Sequence, residues 1–97
     1  MRFDQLKAGA PHRIEHKQQG LLLCRVEDQV YAVHDTCTHE DISLSLGALC
    51  EYRLRCPLHG SEFDIRNGKV LDEPAEIDLA TFEVYVEDEW ICIDDSD

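Results

Sequence analysis

A chain of 97 residues holds one domain of ordinary size and has no room for a second. Its 43% hydrophobic and 31% charged residues are interspersed along the whole length, which excludes a disordered or collagen-like polypeptide. Twenty-one acidic against nine basic residues leave a net charge of −12, a field that repels phosphate backbones and anionic lipid heads and argues against nucleic acid or a membrane as partner.

From the N-terminus, Met1-Arg2-Phe3-Asp4 opens a segment of scattered charges without an apolar leader, so the expectation is a protein that stays in the cytoplasm. Asp4 to Ala8 is the candidate helical turn, with Asp4 as cap and Gly9 and Pro11 as stops. His12 and His16 follow in a polar stretch and read as solvated. The segments Gly20 to Arg25 and Gln29 to His34, rich in Leu, Val and Tyr, flank Glu27-Asp28 as two strands of a hairpin. The longest aliphatic run, Leu21-Leu22-Leu23, is far short of the roughly 20 apolar residues of a membrane span. Asp35 to Leu49 is long for a hairpin connection in a compact β domain, and loops of that length usually carry function. Tyr52, Leu54 and Cys56 alternate with Arg53 and Arg55, which turn to the wet side. Phe63-Asp64-Ile65 and Val70-Leu71 flank Asn67-Gly68, a pair suited to the positive φ angles of a tight hairpin turn. Phe82, Val84 and Val86 alternate with Glu83 and Tyr85. After a break at Asp88-Glu89, a last apolar strand runs from Trp90, read as core, to Ile93. Nearly all the periodicity is of period two, so the fold class is all-β, a sandwich or barrel of short strands.

The charge is unevenly placed. Residues 1–69 hold all nine Lys and Arg with ten acids, whereas residues 70–97 hold eleven acids and no base. Such a face keeps a small protein soluble. It also suits docking to basic partners, because complementary charge raises encounter rates and fixes orientation more than it adds affinity.

The five cysteines are Cys24, Cys37, Cys50, Cys56 and Cys92, an odd count that argues against a full disulfide framework and for reduced thiols or metal ligands. Two segments pair a thiol with an imidazole. They are Cys37-Thr38-His39 and Cys56-Pro57-Leu58-His59, with sixteen residues between His39 and Cys56. A structural zinc ion would accept two Cys and two His in a tetrahedron and would staple a small domain, and spacing alone leaves that reading open.

The two segments, their spacing and the following Gly60-Ser61 resemble the Rieske iron–sulfur proteins, whose fingerprint is C-x-H, about fifteen to seventeen residues, then C-x-x-H. Val30-Tyr31-Ala32-Val33 before the first loop, Phe63-Asp64 and Asn67-Gly68 after the second, and Pro74-Ala75 before the last hairpin extend the likeness. Within that family the chain is most similar to the small Rieske ferredoxins of bacterial ring-hydroxylating dioxygenase systems.

The resemblance implies an antiparallel β-sandwich, residues 1–97 forming one domain, with a small cluster-binding subdomain of two loops over roughly residues 36–70. It implies a 2Fe-2S cluster, one per chain, with Cys37 and Cys56 on one iron and His39 and His59 on the other. Two ferric ions, two sulfides and two thiolates sum to zero charge beside neutral imidazoles, so an added electron meets less repulsion than beside four thiolates. The implied function is that of a one-electron carrier, itself no enzyme. It would be a monomer taking electrons from an NAD(P)H-dependent flavoprotein ferredoxin reductase and passing them to the terminal oxygenase of an aromatic-hydrocarbon dioxygenase. Gly60 would let backbone approach the cluster.

Respiratory members of the family carry an extra cysteine in each loop, where this chain has Ile42 and Leu58, and a tyrosine donor where it has Phe63. The expected potential therefore falls toward the low end of the roughly −150 to +300 mV Rieske span, with Ser61 as a hydroxyl that could still reach sulfur. Cys24 and Cys92 read as small buried hydrophobes and Cys50 as structural, while His34 reads as packing or surface. Glu40 and Asp41, beside His39, are placed to meet a docking partner. The alternatives are a small subunit of a nitrite-reductase-type complex and a zinc-stabilised binding module. A Cys-His hydrolase lacks an oriented third partner.

Overall fold

The computed structural model describes residues 1–37, 42–57, 60–72 and 77–94. Its strands are β1 (His12–His16), β2 (Gln19–Val26), β3 (Gln29–His34), β4 (Ala48–Cys50), β5 (Arg53–Arg55), β6 (Glu62–Asp64), β7 (Val70–Asp72), β8 (Thr81–Phe82), β9 (Val84–Glu87) and β10 (Trp90–Ile93). They form a four-stranded sheet in the order β1-β2-β3-β8, a second in the order β4-β5-β6-β7, and the ribbon β9-β10. Every pairing is antiparallel.

The first sheet is the middle layer. Leu22, Cys24 and Val33 on one of its faces pack with Leu49, Leu54 and Phe63 of the second sheet, forming the larger core. Leu23 and Ala32 on the other face pack with Leu6, and with Val84, Ile91 and Ile93 of the ribbon, forming a smaller one. Burial on both faces explains why β2 reads as an unbroken apolar run from Leu21 to Cys24, each at most 2% exposed, and why adjacent Ala32 and Val33 of β3 are both buried, one in each core. Tyr52 meets Tyr31 edge-on at 5.9 Å and carries the Arg66 guanidinium 4.2 Å above its ring, closing one side of the sandwich.

Four sequence expectations need correction. The polar stretch holding His12 and His16 is strand β1, an edge strand whose only partly buried apolar residue, Ile14, packs on the smaller core. Such an edge needs little hydrophobicity because only one side of it is paired. The N-terminal turn is a 3-10 turn over Phe3–Gln5 with Arg2 in the cap position, so Asp4 lies inside it. Trp90 is 50% exposed: with Tyr85 it lies on the outer face of the ribbon, which no third layer covers among the described residues. In the β6–β7 connection Gly68 alone takes positive φ, +77°. The Asn67 side chain instead accepts from the Lys69 amide, and the Gly68 amide donates to the Asp64 carbonyl. A Cβ on Gly68 would run into the carbonyl oxygen of Leu79, so glycine is required there by space as well as by φ. Two-residue turns with both residues at positive φ lie elsewhere, at Lys17-Gln18 and Asp88-Glu89, where residues other than glycine take that conformation.

Candidate metal centre

The described parts of the Asp35 to Leu49 connection hold regular structure. Thr36 bridges Ser43, Leu44–Leu46 forms a 3-10 turn, and β4 begins at Ala48. Inside the Thr36–Ser43 bridge the Cys37 amide donates to the Ile42 carbonyl at 3.0 Å. The second segment is built the same way. Arg55 pairs with Glu62 across β5 and β6, and inside that pair the Cys56 amide donates to the Ser61 carbonyl at 2.7 Å. Each cysteine is thus the first residue beyond the last cross-strand pair of its own hairpin, and each hairpin is shut by a bond to the carbonyl five residues on.

Cys37 is 3% exposed and Cys56 2%, and both belong to the larger core with Leu44, Leu49, Leu54 and Phe63. Two thiols in one dry, apolar layer fit a metal group. Metal ligation needs them as thiolates, and buried anions are tolerated only beside compensating positive charge. Among the described residues no group of three metal-ligating side chains forms. His39 and His59 lie outside the described residues, as do Glu40, Asp41, Leu58 and Pro74-Ala75. Of the remaining cysteines, Cys24 is buried in the core and its thiol is pushed up to about 12 by burial, which makes it inert packing as expected. Cys50 is exposed, and Cys92 is half-buried on the outer face of the ribbon rather than in the core.

The side chain that the sequence reading passed over is Asp35. It is 5% exposed, two residues before Cys37, and its carboxylate accepts from Arg13 Nε at 2.9 Å and from Ser43 Oγ at 2.6 Å. Its main chain is engaged as well, the amide donating to Gly20 and the carbonyl accepting from Leu44. Ser43 Oγ also lies 2.6 Å from Ser45 Oγ and accepts from the Ser45 amide. The bond to Asp35 raises the Arg13 guanidinium above its ordinary value. Asp35 therefore ties β1, the end of β3 and the exit of the first hairpin into one unit. The signal in the sequence is an acid closing an apolar strand, followed by Ser-x-Ser across the loop. On the second hairpin Asp64 is held below the usual carboxylate range, first by the bidentate Arg66 guanidinium at 3.0 and 2.8 Å.

The Rieske [2Fe-2S] domain model matches residues 1–83, which takes in both hairpins and both buried thiols. The chain belongs to the Rieske [2Fe-2S] family. This Rieske domain is 36% identical over 89 residues to the ferredoxin component of biphenyl 2,3-dioxygenase from Rhodococcus jostii (strain RHA1), covering 92% of this chain and 83% of that one. Its fold is similar to that of the ferredoxin of carbazole 1,9a-dioxygenase from Nocardioides aromaticivorans IC177, with a TM-score of 0.94 at 28% identity over 96% of this chain and 91% of the other. It is also similar to a chain in a complex of reduced oxygenase and oxidized ferredoxin in carbazole 1,9a-dioxygenase, with a TM-score of 0.91 at 33% identity over 96% of both chains. The cofactor of this Rieske domain is accordingly a 2Fe-2S cluster, and the expected all-β sandwich is the observed one. Among the described residues no helix is long and apolar enough to cross a membrane.

Proposed function

We propose that this chain is the one-electron carrier of an aromatic-ring-hydroxylating dioxygenase system, in which Cys37 and Cys56 hold one iron of the cluster and His39 and His59 the other. The observation that carries the reading is the pair of identically closed hairpins, each with a buried cysteine at the same position, in a chain similar to dioxygenase ferredoxin components over most of its length. When bound, such a cluster takes up and gives back a single electron at a potential raised by its two imidazoles.

The chain's own residues do the rest. Leu44, Leu49, Leu54 and Phe63 keep water from the two sulfurs, and Asp35 fixes the hairpin that carries Cys37. Phe63, fully buried, offers no hydroxyl where respiratory relatives have a tyrosine, so the midpoint falls in the lower half of the roughly −150 to +300 mV Rieske span. Residues 36–70 act as the cluster-binding part of a monomer working in the cytoplasm. The electron comes from a flavoprotein ferredoxin reductase drawing on NAD(P)H and goes to a terminal oxygenase. The excess of acids in residues 70–97 supports steering toward basic partner surfaces.

The test is elemental and spectroscopic. Aerobically purified protein is expected to contain about two irons and two acid-labile sulfides per chain. It should be brown-red and bleach partly with dithionite. Cys37→Ser, Cys56→Ser, His39→Ala and His59→Ala should lose that spectrum, while Cys50→Ser keeps it. Colourless protein containing zinc, or loss of the spectrum in Cys50→Ser alone, overturns the assignment.

A further inference from the structure

The acids of β6 are already engaged, in a staggered order. Asp64, which faces Arg53 across the β5–β6 ladder, is held bidentately by Arg66. Glu62, which faces Arg55, accepts instead from Arg53 at 2.7 Å. Each carboxylate has been taken by the next guanidinium along, and Arg55 is the cation left over. Among the described residues it is in no ion pair. Its guanidinium lies against Gly60, where a Cβ would stand 3.1 Å from Nη2 and 3.3 Å from Nε, at a backbone φ of +77° that favours glycine. Arg55 is thereby held at the wall of a cleft of about 530 Å³ whose lining includes Gly47, Ala48, Cys56 and Pro57. Leu46, 71% exposed, forms its apolar lip.

A cation in no ion pair among the described residues, beside an apolar lip in a chain of net charge −12, sets a charge opposite to the molecule's net charge next to the buried Cys56. We propose that this cleft docks the protein partner of electron transfer by receiving one of its carboxylates on Arg55, with the partner's neighbouring apolar side chains on Leu46. The inference rests on the electron-carrier reading for the kind of partner, and on charge complementarity for its chemistry. The acidic surface brings in a predominantly basic partner, and Arg55 rewards only the orientation that presents an acid at the cleft. A planar guanidinium suits that task because it binds carboxylate through two parallel bonds.

Two measurements on the intact protein as purified test it. In the first, the methyl resonances of Leu46 and Ala48 are followed while acetyl-Leu-Glu-Leu-amide or its glutamine counterpart is added. The glutamate peptide should shift them in the wild type and in Arg55→Lys, and neither peptide should shift them in Arg55→Gln. Equal shifts from both peptides, or shifts that survive Arg55→Gln, overturn the proposal. The second is stopped-flow oxidation of the reduced protein, one electron passing to ferricyanide, an anion, or to tris(phenanthroline)cobalt(III), a cation. Arg55→Gln should slow ferricyanide by about two- to five-fold at low ionic strength and leave the cobalt reaction as fast or faster. Lys7→Gln, which changes the net charge equally, should do much less to ferricyanide, and equal slowing by the two variants overturns the proposal. The peptide titration needs no electron transfer. A protein that binds the glutamate peptide but holds no iron therefore sinks the carrier reading and leaves the cleft standing.

Discussion

Removing the Asp35 carboxylate tests whether the first hairpin is anchored as described. The group is 5% exposed and accepts two hydrogen bonds, from Arg13 Nε and Ser43 Oγ. Hydrogen bonds to a buried charged acceptor contribute about 1.5–3 kcal/mol each. Two considerations lower the sum: the Arg13 side chain is 43% exposed and regains water, and Ser43 Oγ keeps Ser45 as partner. Asp35→Ala should therefore cost about 2–4 kcal/mol, which in a domain of this size is about 10–25 °C in melting temperature. Asp35→Asn, which keeps the shape and one acceptor, should cost about half as much. The assay is thermal unfolding of cluster-loaded protein, followed in parallel by far-ultraviolet dichroism and visible absorbance, with exposed Asp28→Ala as a control that stays within about 0.5 kcal/mol. In an Arg13→Met, Asp35→Ala cycle the two changes should be non-additive, the double variant losing less than the sum of the single ones. An Asp35→Ala protein melting within about 3 °C of the parent would refute the anchoring role.

Acid should act through Asp64. Because Arg66 holds its folded value below the ordinary 3.8, its stabilising contribution is complete above that value and disappears as pH falls through the folded one. Asp64→Asn should therefore be less stable than the parent at pH 7 and equal to it near the acid limit; guanidinium titrations whose difference stays constant with pH would show that Arg66 does not act this way. Thiol labelling separates the cysteines. At pH 8 a Cys24 thiol with a value of about 12 is ionised in only about one molecule in 10⁴, so Ellman's reagent should modify exposed Cys50 promptly and Cys24 only on unfolding. Mass spectrometry finding both modified at one rate contradicts that burial.

What could be read in the sequence were features carried by local residue pattern. The Gln29–His34 strand, the Glu27-Asp28 turn and the last hairpin all follow from alternation and turn residues within a few positions. Cys37 and Cys56 could be read for a different reason: a thiol and an imidazole in two short segments is a chemical pattern that does not depend on where the strands begin. The misses depend on tertiary neighbours. β1 is nearly all polar and becomes a strand only because β2 offers it an unpaired edge. Trp90 is apolar and strand-borne, yet its face of the ribbon has no covering layer among the described residues. Asp35 and Arg55 gain their meaning from which partner each secures, Arg13 and Ser43 for the one and, among the described residues, no acid for the other, and no local pattern records such competition.

The two cores divide the molecule's evolutionary freedom. Both thiols sit over the larger core, whereas the β9-β10 ribbon, with Glu87, Asp88 and Glu89 at its turn, rests on the smaller one across the middle sheet. The family pattern ends at residue 83, immediately before that ribbon begins. Substitutions among the ribbon's charges and exposed aromatics thus fall on the far side of the middle sheet from both sulfurs, where their effects should add to, rather than couple with, changes in the two hairpins.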